Sequence, residues 1–382
     1  MHYWSTVTCE TMVSEIADDR DVWRTTIPEF AMKHDFLLNS IFSLTSFHLA
    51  YNKPEQAHQH ISTALEYQTL AFSQLRRELS NFPDDVEAHE ALLYGSLVLM
   101  VLALASSTQP TLKESMIQNT LVHFEFVRGF TVVMLKRPEC MRDNKLFHKI
   151  PDMMRLPKKG CNGQVQRAVE ILTQMNDARM PVAGEEEGSN DLAQAQVLSA
   201  SRLQLACKSA IWWLEYLFSA CSDMKLRGFA LAWLSLAGED FIQALKEHDQ
   251  IATLALMWWG VFVDPIGQRY WYGDSFGRDV ANEVVEAVGS SQDPGIGELI
   301  LLAEQEFREG ANTTESEDYA AGGHHGQLDS KPFWQVDDPD DPKSDHGNVP
   351  HSVLLYTGSQ SRKQFSSTEE LVAIAERIRN MR

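Results

Sequence analysis

Apolar side chains recur every three or four residues along nearly the whole chain up to about residue 308. This spacing places them on one face of an α-helix, whereas sustained alternation with a period of two, the pattern of a half-buried strand, is rare. The sequence therefore predicts an all-α fold, a multi-helix bundle of roughly ten or more helices. The predicted helices cover residues 22–32, 35–52, 54–82, 86–105, 113–136, 164–175, 190–221, 226–246, 251–263, 271–288 and 296–308.

Breaks in this pattern indicate how the chain is organised. Proline and glycine interrupt it at about residues 178–190, which we interpret as an internal linker. Residues 310–365 are rich in Gly, Asp, Ser and Pro and have too few apolar side chains to offset the entropy of ordering, so they predict a disordered acidic segment. Residues 366–382 predict a short helix with one apolar side, formed by Leu371, Ile374, Ala375 and Ile378. We expect one helical domain over residues 1–309, followed by these two segments.

The charge balance and the cysteines exclude several classes of protein. The formal net charge is −20, and such a field repels nucleic acid, whose binding depends on phosphate contacts from Lys and Arg. The longest basic clusters are pairs, Arg76-Arg77 and Lys158-Lys159, so we expect no DNA-binding residues in this chain. The five cysteines are scattered and form no CxxC pair, so we expect no metal site and no cofactor.

The most apolar run, residues 91–112, is the best candidate for a membrane span. Its strongly apolar part, residues 92–105, is shorter than the roughly 20 residues that cross a bilayer. We therefore predict a buried helix and no membrane span.

One short motif resembles a catalytic signature. Gly273-Asp274-Ser275-Phe276-Gly277 fits Gly-x-Ser-x-Gly, the turn that exposes the nucleophile of α/β-hydrolases. That turn requires a preceding strand in a parallel sheet, which the helical pattern does not provide. We therefore predict a loop that leads into a helix, with Asp274 or Ser275 as its N-cap, and no catalytic residue.

An ordered series of blocks carries a resemblance to a known family. The blocks lie between residue 1 and about residue 306: Tyr3-Trp4-Ser5-Thr6-Val7-Thr8, Asp21-Val22-Trp23-Arg24-Thr25-Thr26-Ile27-Pro28, the stretch 34–50, Ala57-His58-Gln59-His60-Ile61, Ala255-Leu256-Met257-Trp258-Trp259-Gly260 and Trp271-Tyr272-Gly273-Asp274-Ser275-Phe276-Gly277-Arg278. Together they resemble the fungal-specific regulatory domain of zinc-cluster (Zn2Cys6) transcription factors, and most closely the branch of the sterol uptake control proteins.

This resemblance implies a helical bundle that regulates transcription in the nucleus, with shuttling from the cytoplasm as an option. It also implies that the bundle senses an apolar small molecule such as a sterol and acts as a homodimer or through a partner. No Cys-x2-Cys-x6-Cys cluster occurs in the sequence. We therefore expect either a DNA-binding partner protein or a zinc cluster encoded upstream.

Under this interpretation, adjacent indoles and their apolar neighbours line a ligand cavity between helices. The candidate lining residues are Met100, Phe124, Trp212, Met257, Trp258 and Trp259. Adjacent indoles lie about 100° apart around a helix, so at least one of each pair should enter the core. Packing alone is the simpler reading of the same residues. The alternative function is a helical small-molecule-binding enzyme or carrier that uses the same cavity.

Overall fold

The computed structural model describes residues 1–13, 19–109, 115–137, 139–142, 144–147, 160–179, 191–220, 231 and 233–321. These residues contain helices and turns but no strand, which confirms the all-α prediction. The α-helices are α1 (His2–Thr6), α2 (Ile27–Ala31), α3 (Asp35–Asn52), α4 (Ala57–Ser80), α5 (Val86–Ser107), α6 (Met116–Lys136), α7 (Glu139–Arg142), α8 (Gly163–Ala178), α9 (Asp191–Ala220), α10 (Trp233–Ala237), α11 (Glu239–Lys246), α12 (Gln250–Arg269), α13 (Phe276–Val288) and α14 (Pro294–Ala321).

The buried side chains form two clusters. The first, which we call the N-terminal core, draws on residues 4–147 and one further tryptophan, Trp271. The second, the C-terminal core, draws on residues 165–307 together with four residues of α5 and α6. Helix α6 therefore contributes to both cores.

In the N-terminal core, α3 and α4 form an antiparallel pair that is fixed by side-chain hydrogen bonds. The Ser43 hydroxyl of α3 donates to the carbonyl of Ala64 in α4 at 2.7 Å, and the Asn39 amide donates to Gln74 Oε1 at 2.8 Å. Ahead of this pair, Trp4 Nε1 donates to the carbonyl of Trp23 at 2.9 Å. These hydrogen bonds satisfy the buried Ser43 hydroxyl and the buried Trp4 indole, and the Trp4 bond ties the start of the chain to the segment that precedes α2.

Helix α5 is apolar on every side, as expected of a helix that is surrounded by protein. Among the described residues it is the helix whose length and composition would suit a membrane span, but 72% of its apolar window is buried inside the structure. It packs against α3 and α6. The predicted buried helix is confirmed.

Helix α12 is the centre of the C-terminal core. It packs against α8, α9, α11, α13 and α14, so side chains all around its axis are buried. Asp249 caps its start by accepting from the amide of Ala252 at 2.9 Å, and Arg179 at the end of α8 pairs with the same carboxylate.

Several helix boundaries differ from those predicted. The helix predicted over 226–246 is interrupted between α10 and α11 by Gly238, whose φ of 88° lies in the left-handed region that favours glycine. Helix α12 runs on to Arg269 through Pro265 instead of ending at 263. The last described helix ends at Ala321 instead of 308. Residues 180–190 of the linker predicted at about 178–190, most of the predicted acidic segment and the predicted final helix lie outside the described residues.

Candidate functional site

Four of the six predicted cavity residues come together in the C-terminal core. Trp258 and Trp259 of α12 are both buried, together with Met257 beside them and Phe124 on α6. The Trp258 ring packs against Phe218 with centroids 6.2 Å apart. Met100 lies half-buried on α5.

Trp212, one of the six predicted cavity residues, does not enter the core. It is 45% exposed on α9, whereas its neighbour Trp213 is buried. Because adjacent residues point about 100° apart around a helix, the two indoles of this pair face opposite environments. The Trp212 ring instead stacks on Tyr216, one turn along α9, with centroids 5.7 Å apart. This position excludes Trp212 from any cavity within the C-terminal core.

Polar atoms without a hydrogen-bond partner accumulate among these aromatic rings. The indole nitrogens of Trp213 and Trp258 and both ring nitrogens of His123 are buried and find no partner in the part of the chain that the structure describes. Burial lowers the pKa of His123 to about 4, so the ring is neutral at pH 7. Leaving a buried polar group unpaired costs about 1–3 kcal/mol.

Helices α12 and α13 approach each other at glycines. A Cβ on Gly277 would lie 2.4 Å from the carbonyl oxygen of Gly260, and one on Gly267 would lie 2.4 Å from that of Gly273. Only residues without a side chain allow this separation of the two backbones. The turn between the helices is therefore held tightly against α12.

A largely buried ion pair fixes the same two helices. Arg278 of α13 lies 3.1 Å from Asp264 of α12, and Gln268 also donates to that carboxylate at 2.9 Å. Burial raises the pKa of Asp264, and the guanidinium of Arg278 counteracts this rise. The Arg278 guanidinium also lies over the ring of Phe307, which brings α14 into the arrangement.

The turn between α12 and α13 places Trp271 in the N-terminal core. The Trp271 indole stacks on His48 with centroids 4.5 Å apart and rings within 10° of parallel, and its nitrogen donates to Thr11 Oγ1 at 3.0 Å. Nδ1 of the same His48 ring lies 3.0 Å from Thr8 Oγ1. We call the group Tyr3, Thr8, Thr11, His48 and Tyr51 the Trp271 notch.

Sequence reasoning did not find this notch. Trp271 and its hydrogen-bond partner Thr11 are 260 residues apart along the chain, and no local sequence pattern links them. The available signal was the block that begins at Trp271, which the resemblance singled out without indicating what the tryptophan contacts.

Ser275 lies in a setting unlike that of a hydrolase nucleophile. It stands at the N-cap position of α13, as predicted, but its side chain does not cap the helix. Its hydroxyl is exposed and donates to Asp279 Oδ2 at 2.7 Å. The preceding residues form a turn, so the strand that a nucleophile elbow needs is absent from this position.

A second contact between the two cores runs along α6. Glu283 of α13 accepts from the amide of Met116 and the hydroxyl of Ser115 at the start of α6, where a carboxylate also interacts favourably with the helix dipole. Further along, Arg128 pairs with Glu239 of α11 at 3.1 Å. The contacts of α6 with α11 and α13 are thus polar, whereas the contact of Trp271 with the N-terminal core is mainly aromatic.

One comparison with known proteins gives a match, and this match falls on the N-terminal part of the chain. Residues 1–148 match the family model of the fungal specific transcription factor domain. The match covers less than half of the 382 residues. It ends one residue after Phe147, which is the last residue of this stretch in the N-terminal core. The matched residues therefore lack one component of the N-terminal core, Trp271. No curated protein and no solved structure matches the chain.

Proposed function

We propose that this protein regulates transcription and acts in the nucleus. The observation that carries the proposal is the match of residues 1–148 to the fungal specific transcription factor domain, a family named for that role. The resemblance of later blocks, through residues 255–278, to zinc-cluster regulators extends the argument into the C-terminal core.

We further propose that the C-terminal core binds an apolar small molecule, of which a sterol is the example that the resemblance suggests. The nitrogens of His123, Trp213 and Trp258, which have no hydrogen-bond partner among the described residues, support this proposal, since they are buried with the apolar side chains of this core. A largely apolar ligand with one hydroxyl would bury its rings there and satisfy one of these nitrogens.

In this proposal the DNA contact comes from another protein or from a zinc cluster on a longer chain. The net charge of −20 opposes direct binding to the phosphate backbone. A homodimer or a heteromeric complex would then bring the regulatory region to the promoter.

A reporter assay in a fungal host tests the regulatory role. The whole chain is fused to a heterologous DNA-binding domain, and transcription from its target site is compared with that of the DNA-binding domain alone. We expect the fusion to raise or lower transcription. Equal transcription from the two proteins would contradict the proposed function.

Native mass spectrometry tests the ligand separately. The protein is purified from the fungal host, and its mass is compared with that of His123→Leu, which removes both imidazole nitrogens while keeping an apolar side chain. We expect an additional mass in the range of a lipid on the native protein and less of it on the variant. Protein that is consistently empty would refute ligand binding and leave the reporter result unaffected.

A further inference from the structure

The Trp271 notch is built for one indole side chain. Trp271 is only 8% exposed although it lies in a turn, and three kinds of contact hold it: a parallel stack on His48, a hydrogen bond to Thr11 and a tilted ring contact with Tyr51. The notch itself is braced, since Tyr3 packs edge-on against His48 and accepts a hydrogen bond from Asn52 at 3.1 Å. Residues 1–13 thus pack around a side chain that another part of the chain supplies.

The other end of this contact is rigid. The glycine contacts at Gly260, Gly267, Gly273 and Gly277 leave no gap between the α12 backbone and the turn or α13. The ion pair between Asp264 and Arg278 fixes the register of the two helices. Any displacement of α12 and α13 within the C-terminal core must therefore move Trp271 as well.

From these observations we propose that Trp271 is a conformational latch through which the C-terminal core controls the packing of the N-terminal core. With the latch seated, residues 1–13 and the end of α3 are held against the indole. When α12 and α13 shift, the indole leaves the notch and this edge of the N-terminal core loosens. The inference goes beyond the proposed function, because it concerns the link between the cores and holds whatever ligand or partner moves the helices.

Hydrogen exchange on the full chain tests the seated state. We expect Trp271→Ala to accelerate amide exchange in α1 and the end of α3 by roughly a hundredfold, as the loss of a buried tryptophan implies. Exchange in α9 should stay unchanged. Trp212→Ala is the matched control, because it removes an exposed indole on α9, far along the chain from the notch. Equal acceleration in both variants, or none near residues 1–13, would overturn the proposal.

Indole provides a probe of the vacated notch. At about 1 mM, free indole should slow exchange near residues 1–13 in Trp271→Ala by refilling the space, and should leave the native protein and Trp212→Ala unchanged. Trp271→Phe, which keeps one aromatic ring but loses the second ring of the indole and the hydrogen bond to Thr11, serves if the alanine variant does not fold. Its exchange near residues 1–13 should increase by less than that of Trp271→Ala, and exchange equal to that of the native protein would count against the latch.

A double-variant comparison tests the control that the latch exerts. Gly277→Ala pushes α13 away from α12 and should accelerate exchange near residues 1–13, although the substitution lies in the other core. Combined with Trp271→Ala, it should add nothing further there, because the connection is already lost. Independent, additive effects of the two substitutions near residues 1–13 would show that the cores are not coupled through Trp271.

Discussion

Acidification should destabilise this protein through its buried histidines, and replacing one of them, His123, should remove the share of the effect that this ring contributes. The ring is 1% exposed, and burial lowers its pKa from 6.5 to about 4. Between these two values the unfolded chain binds a proton that the folded chain does not, so stability is present above pH 6.5 and is lost as the pH falls toward 4. From the two pKa values, the contribution lost between pH 7 and pH 5 is about 2 kcal/mol.

The measurement is the free energy of unfolding in urea at pH 7 and at pH 5. We expect His123→Leu to lose about 2 kcal/mol less than the native protein over this interval, and to be slightly more stable at pH 7 because two unpaired buried nitrogens are gone. His58→Gln, at an exposed position on α4, is the control and should follow the native protein. A parallel decrease in His123→Leu and the native protein would refute the assignment of the acid sensitivity to this ring.

Four further substitutions test individual positions on α6, α10, α13 and the turn before α13. Gly277→Ala should destabilise the fold by about 1–3 kcal/mol, because its Cβ would meet backbone atoms of α12. Gly129→Ala, whose Cβ would have nothing within 4 Å, should stabilise α6 by up to about 1 kcal/mol. The midpoint of thermal unfolding should therefore fall in the first variant and rise in the second. Trp233→Phe should cost about 2–3 kcal/mol in urea unfolding, since it removes a buried hydrogen bond and part of an indole. Ser275→Ala should change stability by less than about 0.5 kcal/mol and leave any esterase activity of the purified protein unaltered, and a loss of such activity would contradict a non-catalytic role.

The helices could be predicted from the sequence where one periodic pattern runs between strong breaks. Helix α5 was predicted within two residues at its end, because Pro83 and Asp85 precede it and a polar run follows it. The break at Gly238 was missed, since a single glycine in an apolar stretch is compatible with both a continuous helix and a turn. The continuation of α12 through Pro265 was missed because proline is usually a sign that a helix ends.

The candidate site was predictable only in part, for a related reason. The burial of Trp258 and Trp259 follows from the apolar sequence around them, but which side of α9 faces the core depends on how α9 packs against α12. Trp212 and Trp213 are equivalent in the sequence, and only packing distinguishes them. The Trp271 notch depends on contacts between distant segments, which periodicity does not encode.

The distance along the chain between Trp271 and the residues that enclose it also bears on how such proteins can be recombined. A gene segment that encodes residues 1–148 would carry the matched region into a new protein without the indole that completes it. Its product would present an open aromatic recess lined by Thr11 and His48. The recess would lower the stability of the new protein unless the segment fused to it supplied an aromatic side chain at the same place. The transferable module is therefore the pair of segments and not the first one alone.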